Sequence, residues 1–415
     1  MVLPRLFVFN PTCDFAVANG SPSWQPNAML TRMEEDMATI VRFLATPDDL
    51  VLLKKLPSPE LSRLMISAGF TEPRYTTFDS FTNTPETIKE IHPWGWSPAF
   101  IRQISPFLKP KNNPAITNEI FLWKESDKQL RSRLTSHMLL QLILHKHSNE
   151  KFIPIHMTPR ICHTMVEIEQ FASETGPLML KSPWSSSGRG LIAVKEIPIH
   201  LSIRQQITGA LKSQGYIMAE PLLEKVQDLA FLYNSVHGKI SFTGISRFFT
   251  DNRGQYKGNY LRGFPDETPR EEKEFIDWSI AELPGLLIKA LTDAGLNNLY
   301  SGAFGIDTLI FRDHAGNLRI NPCLEINWRF TMGHICMGIE KYIYPSSFGI
   351  FRTWQGREKS FASWIAEQNP HHTLCDKSGK ILSGFIPLTE FAYNNHFGAW
   401  LEVFPKQAKG KTVIT

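Results

Sequence analysis

The sequence predicts an α/β domain followed by a larger α+β body, and three observations carry that expectation. Residues 5–69 alternate apolar strand-like runs with stretches of helical periodicity. Farther along, 178-LMLKSPWSSSGRGLIAVK-195 interrupts two apolar runs with serine and glycine. Two long apolar runs, 303-AFGIDTLIF-311 and 318-LRINPCLEIN-327, are joined by the polar 312-RDHAGN-317, which reads as a hairpin turn.

Taken in order, 5-RLFVFN-10 is a predicted strand, 29-MLTRMEEDMATIVRFL-44 repeats at helical spacing, 50-LVLLKKL-56 is a second strand and 58-SPELSRLMISAG-69 a second helix. This domain carries no G-x-G-x-x-G dinucleotide fingerprint. The stretch 92-HPWGWSPAF-100 reads as an ordered loop or packed turn, in which Trp94 and Trp96 either pack or stack on a ligand, and 108-LKPKNNPAIT-117 reads as a boundary. One long helix is expected over 126–147, capped by Ser126 or Asp127, and shorter ones over 162–176 and 200–215. Strands are expected at 216–223, 229–236 and 239–249, and a helix over 274–295 that Pro284 bends or breaks. After residue 356 a helix and two short strands, one at 397–405, carry no assigned chemistry.

With 44 Lys and Arg against 40 Asp and Glu in 415 residues, the net charge of +4 points to neither nucleic acid nor a membrane surface as partner. The five cysteines show no C-x-x-C spacing, so a reducing, cytoplasmic setting and no iron–sulfur centre are expected. Residues 1–20 lack a secretory cleavage pattern, no apolar run reaches membrane-spanning length, and no G-x-S-x-G elbow suggests serine hydrolysis.

Chemistry concentrates in two places. In 185-SSSGRG-190, Ser185, Ser186 and Ser187 with Gly188, Arg189 and Gly190 form a small-residue turn whose backbone amides suit a phosphate, although the same composition suits a surface hairpin. Lys181, at the end of the preceding strand, is a mobile point charge for phosphate oxygens. The loop feeds a strand, not a helix, so a nucleotide would be clamped between sheets. The second place is 323-CLEINWRF-330, where Glu325 and Asn327 share one strand face and the hairpin can bring Asp307 beside Glu325. Such oxygen donors suit Mg²⁺ completed by water and phosphate, and Arg329 continues the same face. Taken alone, an E-x-N-x-R string also fits a solvated strand face.

With these motifs in this order, residues 118–340 resemble the ATP-grasp superfamily, in its carboxylate–amine ligase type. The resemblance implies an ATP-grasp fold with two α+β lobes behind a preceding α/β domain. It divides the chain into an N-terminal domain at 1–117, a small lobe with the serine–glycine loop at 118–225, a large lobe with the metal site at 226–355, and an extension of unknown role at 356–415. By the same likeness, Lys128 in 126-SDK-128 and Lys181 meet the phosphates, and the serine loop covers them. Glu220 and Asp228 in 218-MAEPLLEKVQD-228 approach adenine and ribose. Asp307, Glu325 and Asn327 match the magnesium ligands, and Arg329 the arginine beside the reacting oxygens. Lys124 competes with Lys128, and Glu224 with Glu220 and Asp228.

The implied reaction uses ATP and Mg²⁺, with Mn²⁺ as a substitute, to turn a small-molecule carboxylate into an acyl phosphate that an amine attacks. Transfer of phosphate to a small acceptor, and a nucleotide-binding regulatory role, are the competing readings. Arg247, Tyr256, Lys257, Asn259 and Arg262 in 245-ISRFFTDNRGQYKGNYLRG-263 are candidates for an anionic substrate because guanidinium groups pair with carboxylates. His334 is a candidate to orient substrate or carry a proton, or it makes a structural hydrogen bond.

Overall fold

A computed structural model describes residues 3–83, 87–107, 123–185, 190–251, 254–265, 267–368 and 372–405. The expected boundary at 108–117 and four members of the serine loop, Ser186, Ser187, Gly188 and Arg189, lie outside the described residues.

The N-terminal domain is a parallel sheet of Arg5–Val8, Leu50–Leu53, Arg74–Thr77 and Glu90–Pro93, with the first strand between the second and fourth. Parallel pairing requires crossovers, and helices Ala28–Met37 and Pro59–Ser67 supply two of them. Asn27 and Ser58 cap these helices by accepting from the amides of Leu30 and Leu61. All four residues of Leu50–Leu53 are buried, as expected of a strand covered on both faces.

A second, antiparallel sheet holds Arg160–Cys162, Ile217–Pro221, Leu178–Lys181 and Leu191–Val194 in that spatial order. Helices Met165–Thr175 and Leu201–Gln214 close its core through Ile168, Phe171 and Ile207. The third sheet is antiparallel, with nine strands. From one edge it runs Leu318–Asn327, Gly302–Arg312, Glu224–Val236, Lys239–Thr250, Tyr256–Leu261, Phe348–Gln355, Phe397–Phe404, Ile381–Pro387 and Leu374–Cys375. Among the described residues, no helix is long and apolar enough to cross a membrane.

Two expectations need correction. The single helix expected over 126–147 is two, Glu125–Leu130 and Arg133–Lys146. Between them Ser132 turns its hydroxyl onto the Leu134 amide at 3.1 Å, so a local side-chain bond restarts the helix at Arg133. Helix Arg270–Asp293 runs through Pro284 unbroken, because Leu283, Leu287, Ala290 and Leu291 bury one face in the core and outweigh one missing amide bond. Within the stretch expected as the small lobe, helix Arg133–Lys146 packs on the large sheet. Leu139, Leu140, Ile143 and Leu144 share the core of the nine-stranded sheet with Phe231, Phe304 and Ile320.

The C-terminal segment continues the large sheet and ties it to the N-terminal domain. Ile386, Leu401 and Val403 share one core with Phe7, Ile40 and Val51. At its centre, buried Asp36 accepts hydrogen bonds from Asn395 Nδ2 at 2.8 Å and from the amides of His396 and Phe397 at 2.7 and 3.0 Å. Removing that carboxylate strands three donors. Asp36→Ala is therefore expected to destabilise the chain by about 3 kcal/mol, read from the denaturation midpoint. An unchanged midpoint would show that the clamp contributes nothing.

Candidate active-site cleft

A cleft of about 500 Å³ separates the small sheet from the large one, and the N-terminal domain adds Pro11 and Trp94, just beyond its strands, to the walls. On the large sheet Asp307 and Glu325 are direct partners in the antiparallel register, so their side chains leave the same face side by side. Two residues on, Asn327 Nδ2 donates to Asp307 Oδ2 at 2.9 Å, and Arg329 Nη2 donates to Asn327 Oδ1 at 2.9 Å. Burial, reinforced by the Glu325 charge, pushes the Asp307 carboxyl up to about 7.

Among the described residues no group of three or more His, Cys, Asp and Glu side chains converges as a metal cage. The candidate oxygen donors are two carboxylates and an amide that line the cleft, with Arg133 on one Glu325 oxygen and Arg329 on the Asn327 oxygen. That composition fits Mg²⁺, which keeps waters and takes substrate phosphates to complete its shell.

Arg329 is held by three acceptors. Beyond Asn327, its Nε donates to Asp14 Oδ2 at 2.8 Å and its Nη1 to the Phe330 carbonyl at 3.0 Å. Burial opposes its charge, but Asp14, Cys13 and Glu325 together outweigh burial and hold the guanidinium above its ordinary value. Asp14 belongs to the N-terminal helix Cys13–Asn19, so that domain closes one end of the site.

From the small sheet come Lys181 and Glu220, an ion pair of a buried lysine and a part-buried carboxylate. Asp228 lies on the large sheet, accepting from Lys225 Nζ at 2.9 Å and from Thr250 Oγ1 at 3.4 Å, and burial raises its carboxyl above the ordinary value. Of the three acidic alternatives, Glu220 and Asp228 line the cleft, whereas Glu224 is exposed and does not.

Lys128 is not among the residues that line the cleft. Its ammonium sits 4.9 Å from the ring centroid of Trp184 in a cation–π contact, and Lys124 is an exposed cap residue. The basic side chain that occupies this approach is Arg133, which the sequence reading missed. Its Nη1 donates to the Ser182 carbonyl at 2.5 Å and to Ser185 Oγ at 2.6 Å, and its Nη2 to Glu325 Oε2 at 2.9 Å. The signal was Ser132, a cap residue placed inside what reads as one continuous helix. Gly190, at φ +80°, closes the described end of the serine loop, and a Cβ there would stand 2.9 Å from Ser185 Cβ.

The basic residues proposed for substrate fall elsewhere. Arg247 and Arg262 line a separate cavity of about 220 Å³. Arg247 donates to the carbonyls of Arg262 and Gly263, and burial lowers its pKa to about 10. Arg262 donates from its side chain to the Glu340 carbonyl at 3.1 and 3.3 Å. Lys257 pairs with Asp251 at 3.3 Å. Tyr256 does line the cleft, but its hydroxyl donates to Asn259, whose amide donates to Ser246 in turn. His334 lies outside the cleft lining. It receives the Thr331 amide on Nδ1 at 3.1 Å and caps helix Met332–Glu340, and burial lowers its pKa to about 4, so it stays neutral. Trp94 lines the cleft, packed edge-on against Phe9, while Trp96 packs on Phe100.

No family model matches the chain, and no curated protein sequence matches it. Solved structures do. The chain is similar to Rhizobium etli pyruvate carboxylase T882A with the allosteric activator acetyl coenzyme A, at TM-score 0.51 and 12% identity over 98% of this chain and 36% of that one. It is also similar to the Campylobacter jejuni biotin carboxylase–β-γ-ATP complex, at TM-score 0.49 and 12% identity over 97% of this chain and 87% of that one. A third likeness is to Bacillus licheniformis L-amino acid ligase, at TM-score 0.46 and 11% identity over 97% and 94% of the two chains. At these identities the likeness is one of fold. An α/β domain, a small antiparallel lobe and a large antiparallel sheet enclosing one cleft make up the ATP-grasp fold, and this chain has it.

Proposed function

We propose that the chain is an ATP- and magnesium-dependent ligase that activates a small-molecule carboxylate as an acyl phosphate for attack by an amine. The observation that carries this reading is the shared cleft. Lys181 on the small sheet and the Asp307–Glu325 pair on the large sheet line the same cavity, with Arg329 beside them.

In this reading Lys181 holds phosphate oxygens as a point charge, and the serine loop from Ser185 to Gly190 covers them. Glu220 and Asp228 lie towards the base and ribose. Asp307, Glu325 and Asn327 hold the cation, with Mn²⁺ able to replace Mg²⁺. Bound there, the cation would offset triphosphate charge and polarise the transferring phosphoryl group. Arg329, anchored by Asp14, has N–H groups left for the reacting carboxylate. A carboxylate oxygen bonds to the γ-phosphorus as the bond to the ADP oxygen breaks. The amine then bonds to the acyl carbon as phosphate leaves, which requires water to be excluded. No protein nucleophile takes part.

The test of the reaction is ATP-dependent phosphate release across carboxylate–amine pairs with mass-resolved products. The ligase reading requires release that depends on both partners and an amide of the summed mass less water. A stable phosphorylated acceptor would overturn it in favour of phosphoryl transfer. Glu325→Gln is expected to lower metal-dependent turnover on the order of a hundredfold or more with the thermal melt retained, and Lys181→Ala to raise the apparent KM for ATP. Unchanged metal-dependent kinetics in folded Glu325→Gln would contradict the assignment.

The cleft also has a pH signature. The cation needs Asp307 ionised, and burial beside Glu325 pushes that carboxyl up to about 7. Metal affinity should therefore level off above pH 7 and weaken by about tenfold per unit as pH falls below it, because protons compete for the same oxygen. Calorimetric Mn²⁺ titration from pH 5.5 to 8.5 checks this. Asp307→Asn should lose that slope, and an equal slope in the variant would contradict the role of Asp307.

A further inference from the structure

Among the described residues, four Lys and Arg side chains line the cleft, and each is already in an ion pair with a carboxylate. Lys181 pairs with Glu220, Lys225 with Asp228, Arg329 with Asp14 and Arg133 with Glu325. Among the described residues, a triphosphate entering this cleft meets no unpaired cation. It either shares a paired cation or draws one away from its carboxylate, and a carboxylate that loses its partner in the wall of the cleft is costly unless another cation replaces it.

Arg133 is the pair suited to such an exchange, for three reasons. It is buried, yet it spans two lobes, with Nη1 on Ser182 and Ser185 of the small lobe and Nη2 on Glu325 of the large sheet. Its carboxylate partner is itself a proposed cation ligand, beside Asp307 in the register. Its Nε is buried without a hydrogen-bond partner among the described residues, a donor left over in the wall of the cleft. Unmatched buried donors are uncommon, and an acceptor arriving with a ligand would satisfy this one.

We infer that Arg133 is a partner-changing counter-ion: it neutralises Glu325 while the cleft is empty and turns its Nη2 and Nε to a nucleotide phosphate when Glu325 takes the metal. Nη1 stays anchored on the small lobe, so the exchange needs only a rotation of the guanidinium. The inference deepens the proposed ligase reading and rests on its metal site. It has a thermodynamic consequence that simple phosphate binding lacks. Metal alone must evict Arg133 from Glu325, and nucleotide alone must leave Glu325 unpaired, but the two together satisfy every charge. Each therefore strengthens the other, and the coupling is reciprocal.

The experiment is calorimetric titration of the full chain with Mn²⁺ alone, and with a non-hydrolysable ATP analogue at saturating Mn²⁺. It compares the unchanged chain, Arg133→Met, Arg133→Lys and Glu325→Gln, each checked by thermal melt. Arg133→Met should bind Mn²⁺ alone about tenfold more tightly than the unchanged chain, and the analogue with Mn²⁺ about tenfold more weakly. The two effects have opposite signs. Arg133→Lys, which keeps a charge but loses the fork, should shift both affinities in the same directions by smaller factors, and it decides the matter if Arg133→Met does not fold. Unchanged or weakened Mn²⁺ affinity in these variants, with binding lost in Glu325→Gln, would overturn the exchange and leave the ligase reading standing. Mn²⁺ affinity insensitive to Glu325→Gln would overturn the metal site, and the inference with it.

Discussion

Two carboxylates held side by side on neighbouring strands, Asp307 and Glu325, are the constraint around which this cleft is organised. Like charges so placed repel, and the surroundings answer in two ways. Asp307 leans towards its protonated form and takes a hydrogen bond from Asn327, while Glu325 draws Arg133 across from the helix below the small lobe. The repulsion is thus spread into contacts that join the lobes. A divalent cation would relieve it directly, which is why the same arrangement reads as a metal site.

The rest of the molecule keeps that pair rigid. Strand Gly302–Arg312 lies inside the sheet between Leu318–Asn327 and Glu224–Val236, and behind it Phe304, Ile306 and Ile310 are wholly buried. Asn327, Arg329 and Asp14 continue the polar chain from the carboxylates to the N-terminal domain. That domain is fastened to the far end of the same sheet by Asp36 and a shared apolar core. The strands after residue 372 therefore bear indirectly on the cleft, since they help to set where Asp14 sits.

Period-two alternation made much of this site legible in advance. Glu325 and Asn327 had to share a face, and a short polar turn had to fold Asp307 back towards them. Lys181 was legible for a similar reason, as the last residue of an apolar run before small residues. What alternation cannot say is which face of a strand meets the cleft. Arg247 neighbours cleft-lining Ser246 and Phe248 in sequence, yet lines a different cavity, where it braces backbone carbonyls. For His334 the sequence left a substrate role and a structural hydrogen bond both open, and packing decides for the second, because its buried ring accepts the Thr331 amide. Arg133 was hidden by the reverse error. Helical periodicity runs through Ser132, and a single hydroxyl-to-amide bond decides that a new helix starts there and delivers Arg133 to the cleft.

In the proposed ligase one ligand joins the two lobes, its phosphates on the Lys181 side and its metal on the carboxylate pair. A crystal structure grown with Mn²⁺ and a non-hydrolysable ATP analogue tests this most directly, because the anomalous signal locates the ion independently of the nucleotide. The expected result is a manganese peak bridging the side chains of 307 and 325, with phosphate oxygens completing its shell and the Lys181 ammonium on the same phosphates. Manganese or nucleotide ordered elsewhere, with those two carboxylates left bare, would contradict it.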